Sequence, residues 1–335
     1  MHILCTNGTP IVDTLDHLPP LPLFVDYRDT TATFSEQDEL GVYFALLLRD
    51  RVHRIILHLP PSILHAFLIR MDGPFPILEY LSLSSTVDET TSLILPETFL
   101  APNLRHLTLL GIGLPKELTF LSAVSLATLA LKNIPVSGYF LPGSLVKSLR
   151  SLPQLEELSI CFSTPIPCPG AERELLGNRE TLVMTFPNLE RLTFQGVSAY
   201  LECLIAHIRA PLLGQLSITL FDQDAFSSPH LSHFVNITER LKPRTTEVKF
   251  ERDAVSVTTD HRNTRQYIGR FIRVVCDQSD RRIDCMPRIC SELMPALSGT
   301  EILRLDCYES MMPTEWQNVG PTAQHGTDFS GRSDG

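Results

Sequence analysis

The chain has 335 residues, 43% of them hydrophobic and 20% charged, a balance that excludes an intrinsically disordered chain and suffices for a large buried core. With 28 Lys/Arg against 38 Asp/Glu the net charge is −10, which disfavours a protein that grips DNA or RNA through a basic surface. The 25 prolines outnumber the 17 glycines and predict many short elements rather than long helices.

The opening MHILCTNGTPIV has no basic run ahead of a long apolar core, so no signal peptide is read there. Leu118–Leu131, 14 residues without a charge, falls short of the ~20 needed to span a bilayer. The expectation is a soluble chain of the cytoplasm and/or nucleus, with residues 1–50 as an N-terminal cap or entry segment.

From residue 52 the chain repeats itself. The template L-x-x-L-x-L occurs at Leu78–Leu83, Leu104–Leu109, Leu126–Leu131, Leu155–Ile160, Leu189–Phe194 and Leu213–Ile218, with a weaker early copy at Val52–Leu57. Successive first positions lie 26, 26, 22, 29, 34 and 24 residues apart, mostly in or near the leucine-rich-repeat period of roughly 20–29. Proline stands two residues upstream at Pro76, Pro102, Pro153, Pro187 and Pro211, where its fixed φ should stop one segment before the next strand. The fourth and sixth positions share one strand face, apolar in every clear copy; a single repeat cannot bury that face, but stacked repeats can.

Between the strands, periodicity predicts helices after Pro60-Pro61-Ser62 (Ile63, Leu64, Phe67, Leu68, Met71), with a cap at its start, and over Gly143–Ser151, Ala199–Arg209 and Leu231–Leu241. The segments before Leu104 and Leu126 are short and irregular. The asparagine expected three residues after the sixth position is replaced by Ile112, Ile134 and Val197, which predicts an irregular array. Thr245–Phe250 and Thr300–Leu305 read as weak late copies. Residues 251–298 form an irregular insert, and 240–288 hold 12 Lys/Arg against 7 Asp/Glu. Within it, Ile268, Phe271, Ile272, Val274 and Val275 suggest a strand or a helix, and Pro287–Leu297 a helix. The polar stretch 313–335 is expected to be a disordered tail.

The fold class expected is α/β: an irregular leucine-rich-repeat solenoid over 51–312, a curved parallel sheet with helices and loops on its convex side. Its outer, concave strand face would carry Arg54, His58, Tyr80, Ser82, His106, Thr108, Thr128, Lys132, Glu157, Ser159, Arg191, Thr193, Gln215 and Ser217. Small polar residues there make a shallow platform, and Arg, Tyr and His are the types that anchor protein contacts.

Reaction chemistry is sparse. There is no G-x-S-x-G, G-x-G-x-x-G, G-x4-G-K-[ST] or H-E-x-x-H. Gly111-Ile-Gly113 reads as a turn, and His230 and His233 as surface or capping residues. The eight cysteines lack regular spacing, and Cys276, Cys285 and Cys290 have no histidine in metal-binding register. No catalytic residue, cofactor or metal is assigned.

The phrases LDHLPPLPLFVDY (15–27), VHRIILHLPPS (52–62), DGPFPILEYLSLSS (72–85), FLAPNLRHLTLLGIGLP (99–115), SLPQLEELSI (151–160), FQGVSAYLECLIAHIRAPLL (194–213), LSHFVNITERLK (231–242) and DAVSVT (253–258) resemble the leucine-rich-repeat region of fungal F-box proteins. The resemblance covers roughly residues 2–318. It implies a substrate-recognition arc of an SCF-type ubiquitin ligase, in which a helical F-box ahead of the repeats binds a Skp-type adaptor. The family's Leu-Pro-x-Glu/Asp F-box opening is not matched, so a Skp-type partner is expected only if an F-box lies upstream. Function is expected to be non-enzymatic protein binding, with a target the sequence does not name, no membrane and no nucleic acid. A truncated decoy or scaffold, a decayed gene product, and an enzyme on a solenoid are the alternatives.

Overall fold

The computed structural model describes residues 2–8, 20–28, 34–85, 93–115, 123–165, 183–221, 229–241, 245–250, 254–260, 269–275 and 302–307. The helix expected over Pro287–Leu297, the tail from 313, Ile268, and the cysteines 276, 285 and 290 lie outside them. The described residues are α/β, with mostly parallel strand pairing. Two compact units divide the chain: Met1–Asn178 with Phe186–Leu189, and Arg179–Thr185 with Glu190–Gly335.

In the first unit the elements run β1 (Ile3–Cys5), β2 (Leu23–Tyr27), α1 (Glu36–Leu47), β3 (Val52–His58), α2 (Pro61–Arg70), β4 (Tyr80–Ser84), β5 (His106–Leu110), β6 (Thr128–Ile134), α3 (Pro142–Leu149) and β7 (Glu157–Phe162). The seven strands pair in chain order and every pair is parallel. The first 50 residues thus supply two strands and a helix for which the repeat template offered no sign.

A β-turn delivers the chain into each repeat strand. The N–H groups of Leu78, Leu104, Leu126, Leu155 and Leu189 donate to the carbonyls of Phe75, Ala101, Ala123, Leu152 and Phe186 at 3.0–3.5 Å. The upstream proline is the second residue of that turn, where φ near −65° is what the geometry needs. Its job is therefore more specific than ending the preceding segment. The turn at Ala123 has Val124 in that place. Side chains bind neighbouring turns together: Asn103 Nδ2 donates to the Pro76 carbonyl at 2.6 Å, and Asn188 Nδ2 to the Pro153 carbonyl at 3.3 Å.

Parallel pairing brings like positions side by side. Ile55, Leu81, Leu107, Leu129 and Leu158 form one row, and Leu57, Leu83, Leu109, Leu131 and Ile160 run beside it. All ten are fully buried. Tyr27 extends the second row, and Phe34 sets its ring edge against both Tyr27 (5.6 Å) and Phe67 of α2 (6.2 Å), which places α2 on the core side of the sheet. Burying these rows contributes roughly 1.5–3 kcal/mol per large apolar side chain.

The helix termini follow local chemistry. Ser35 caps α1: its Oγ accepts from the Asp38 N–H (3.2 Å), and the Asp38 carboxylate accepts from Ser35 N–H (3.0 Å) and Oγ (2.7 Å). The same carboxylate accepts from Gly8 N–H at 2.8 Å, which ties the start of the chain to α1. The cap expected for α2 is absent. That helix starts at Pro61, Ser62 falls inside its first turn, and Pro60 has no side chain able to accept. Gly113 and Gly138 pack backbone to backbone; a Cβ on Gly113 would come within 2.7 Å of the Gly138 Cα.

The second unit holds β8 (Met184–Thr185), β9 (Arg191–Gly196), α4 (Ser198–Ala206), β10 (Ile208–Arg209), β11 (Gln215–Leu220), α5 (Pro229–Ile237), β12 (Thr245–Phe250), β13 (Ala254–Asp260), β14 (Gly269–Val275) and β15 (Ile302–Cys307). The helix expected over 199–209 stops at Ala206, because Ile208–Arg209 pair with Met184–Thr185 as short parallel strands. The helix expected over 231–241 becomes α5 plus a 3-10 turn at Glu239–Leu241. Thr238 Oγ1 donates to the Phe234 carbonyl at 2.7 Å where the two meet. Glu202 of α4 caps α5, its carboxylate accepting from the N–H groups of His230 (2.8 Å) and Leu231 (3.0 Å).

Strand order here departs from the repeat reading. β11 pairs in parallel with β9 as expected, but on its other side it pairs with β14, not β12. β14 runs antiparallel to β13, β13 antiparallel to β12, and β12 parallel to β15. Three residues of sequence separate β12 from β13, too few for a parallel crossover, and the two strands pair as a hairpin. The hairpin leaves β14 to present Ile272 and Val274 beside Ile218 and Leu220. The stretch read as a strand or helix inside the insert is thus the strand that continues the row.

Candidate functional site

The residues expected on the outer strand face divide between the two units. The first unit carries ten of them, and parallel register aligns these in rows. Arg54, Tyr80, His106, Thr128 and Glu157 are direct partners across β3 to β7. His58, Ser84, Leu110 and Lys132 form a second row across β3 to β6. Between them run Ile56, Ser82, Thr108, Ala130 and Ser159.

That middle row is not the open platform the alternation predicts. Ile56, Ser82, Ala130 and Ser159 are buried, and Thr108 is half-buried. Short side chains at mid-strand are overshadowed by longer ones in the rows on either side. Ser82 and Ser159 are therefore floor, whereas His106 and Lys132 are exposed and Arg54, His58, Tyr80, Thr128 and Glu157 half-buried.

The first row is connected through its side chains. The Arg54 guanidinium lies over the Tyr80 ring, 4.4 Å from its centroid. The His106 ring flanks Tyr80 from the next strand at 5.6 Å, and its Nδ1 is 3.1 Å from Thr128 Oγ1. Arg54 Nε is buried with no hydrogen-bond partner, and no ion pair or hydrogen bond reaches the guanidinium among the described residues. A buried donor left in this state costs on the order of 1–3 kcal/mol, more when the group is charged.

β2 extends this face, and the template did not reveal it. Phe24 is the register partner of Arg54, and Asp26 of Ile56. The alternation Leu23-Phe24-Val25-Asp26-Tyr27, with 23, 25 and 27 buried, was the signal that could have found them. Phe24 stacks between His2 (4.0 Å) and His53 (5.4 Å). His53 pairs with Glu79 at 3.4 Å and Arg105 with the same carboxylate at 3.8 Å. Arg28 forks onto Asp26 through Nε (2.8 Å) and Nη2 (2.7 Å). Burial, and then the Arg28 charge, hold His58 below its ordinary value, with Asp26 opposing. At neutral pH His58 is an uncharged ring.

In the second unit, Arg191 and Gln215 are partners, as are Thr193 and Ser217, with the arginine and glutamine exposed and the hydroxyls half-buried. Gln195 and Thr219 continue the alternation, and Thr219 pairs with Arg273 of β14. Like rows of small polar residues thus occur in both units.

Burial raises the Cys161 and Cys203 thiols and pushes Cys5 up to about 11, so none is the thiolate that a nucleophile requires. Ser159 Oγ sits 3.6 Å from Cys161 Sγ. Among the described residues no group of three His, Cys, Asp or Glu could hold a metal ion. No helix among them is long and apolar enough to cross a membrane. Comparison with family profiles, curated proteins and solved structures found no match to this chain.

Proposed function

We propose that this chain is a non-enzymatic protein-interaction module of the leucine-rich-repeat class. The Arg54–Tyr80–His106–Thr128–Glu157 row carries the reading. It is an in-register strip of aromatic, cationic and hydrogen-bonding side chains on the face turned away from the buried leucines. Interface hot spots draw on these residue types, and rigid strands hold them at low entropic cost. The sequence phrases shared with fungal F-box proteins support the narrower reading, a substrate-receptor arc of a ubiquitin ligase. On that reading the repeats form a solenoid, and the outer face takes the protein to be modified.

The test compares proteins captured by the tagged full chain with those captured by Thr108→Arg, which obstructs the face, and by Arg150→Glu, an exposed position outside the strands. Prey lost with Thr108→Arg and kept with Arg150→Glu supports the face as the binding surface. Identical prey for all three would sink it. Copurification of a Skp-type adaptor and a cullin with the native product separates the ligase receptor from a bare binding scaffold.

A further inference from the structure

The outer face of the first unit contains one arginine whose charge is left unanswered. Arg28 is forked onto Asp26, and Arg105 leans on Glu79. Arg54, between them in the strand order, has no carboxylate, carbonyl or hydroxyl within reach among the described residues. It is not a mobile surface cation. Its Nε is buried, and the Tyr80 ring covers the guanidinium at 4.4 Å. The donors left for an incoming oxygen are the two Nη groups, held in one orientation by the stacked ring. A planar fork fixed in this way matches a carboxylate, which accepts two parallel N–H bonds.

We infer that the Arg54–Tyr80–His106 strip binds a single side-chain carboxylate of the partner protein. This rests on the interaction-module reading and specifies the partner's chemistry. His106 stands on the far side of Tyr80, exposed and within reach of a neighbouring polar group of the partner. Phe24, the register partner of Arg54 on the other side, stacks between His2 and His53 beside the charge. Charge on the same face argues against a nucleic-acid backbone. Asp26 and Glu157 lie along it, and a run of phosphates would meet them within a few nucleotides. A single carboxylate needs only one fork.

The experiment uses the purified full chain and fluorescence anisotropy at low salt. The probes are a fluorescein-labelled Gly-Ser repeat peptide with one central Glu and its counterpart with Gln in that place. The Glu peptide should bind about tenfold tighter, the weight of one charge-assisted fork, and added salt should erode the difference. Arg54→Gln should abolish the preference, and Arg150→Gln should leave it intact. If Arg54→Gln lowers the melting temperature, Arg54→Lys takes its place; it keeps the stem and charge but not the fork, and should lose most of the preference. Equal binding of the two peptides, or a preference that survives loss of the guanidinium, overturns the inference. Tighter binding of a phosphoserine-Gly peptide or of an oligo-uridine also overturns it, and reassigns Arg54 to phosphate. A chain indifferent to the Glu peptide whose captured partners still vanish with Thr108→Arg would refute the carboxylate and leave the interaction face standing.

Discussion

The two units solve the same problem by different routes. In the first, every strand pairs with its neighbour in sequence, always in parallel, and β4, β5 and β7 enter through the same proline turn. In the second, the rule holds from β9 to β11 and then fails, as a hairpin reverses the chain and β14 pairs with β11 ahead of β12. The apolar row continues across that change, with Ile272 beside Ile218. The difference shows that the row of buried side chains is the constraint, and the order in which the chain supplies strands is free to vary.

The sharpest way to break this comparison is to excavate both rows. Leu158→Ala in β7 and Ile272→Ala in β14 should each cost ~2–5 kcal/mol, since both side chains are fully buried. Denaturant unfolding of the two variants checks it. A cost for Leu158→Ala with none for Ile272→Ala would remove β14 from the row. Next in size is Gly113→Ala, which drives a methyl group into the Gly138 backbone and should cost ~1–3 kcal/mol. A thermal melt reads it, and Gly143→Ala, which has open space around it, serves as the contrast.

Val124→Pro should move the other way. Val124 is exposed and occupies the turn position that proline holds in five other turns. The substitution should stabilise by ~0.4–1 kcal/mol through the unfolded chain. A lowered melting temperature would show that this turn differs from its siblings.

The smallest effect is a pH slope in the first unit. Because folding depresses the His58 pKa, the unfolded chain binds more protons. Stability is therefore full above the ordinary value near ~6.5 and falls as pH drops through it. His58→Gln should flatten that part of the profile. Asp38 adds a separate loss at lower pH: burial opposes its charge, but the hydrogen bonds from Ser35 and Gly8 outweigh it and hold its pKa below the usual range. Urea midpoints measured from pH 7.5 to 3.5 would separate the two.

Much of the first unit was legible because its signal is local. Two leucines spaced two apart, with a proline upstream, mark a strand and its entry turn without knowledge of any partner. Residues whose role depends on a partner were not legible. Phe24 and Asp26 lie in a strand that lacks the leucine template, although its alternation was visible. That Ser82 and Ser159 are floor follows from side chains one strand away. The Arg54–Tyr80 stack needs the register between positions 26 residues apart. The β12–β13 hairpin was not legible because Thr245–Phe250 matches the repeat template weakly, and that template implies a parallel partner.

The strand order of the second unit also bears on how the chain is made. Emerging from a ribosome, each strand of the first unit meets a partner already synthesised, some 22–29 residues behind it from β3 to β7. Its growing edge is therefore covered soon after it forms. β11 ends at Leu220 and receives β14 only after Val275 has been made, with the β12–β13 hairpin arriving in between. For that interval a strand edge stays open, and open edges are where nascent chains associate wrongly. The protein's exposure to chaperones during synthesis should be concentrated there.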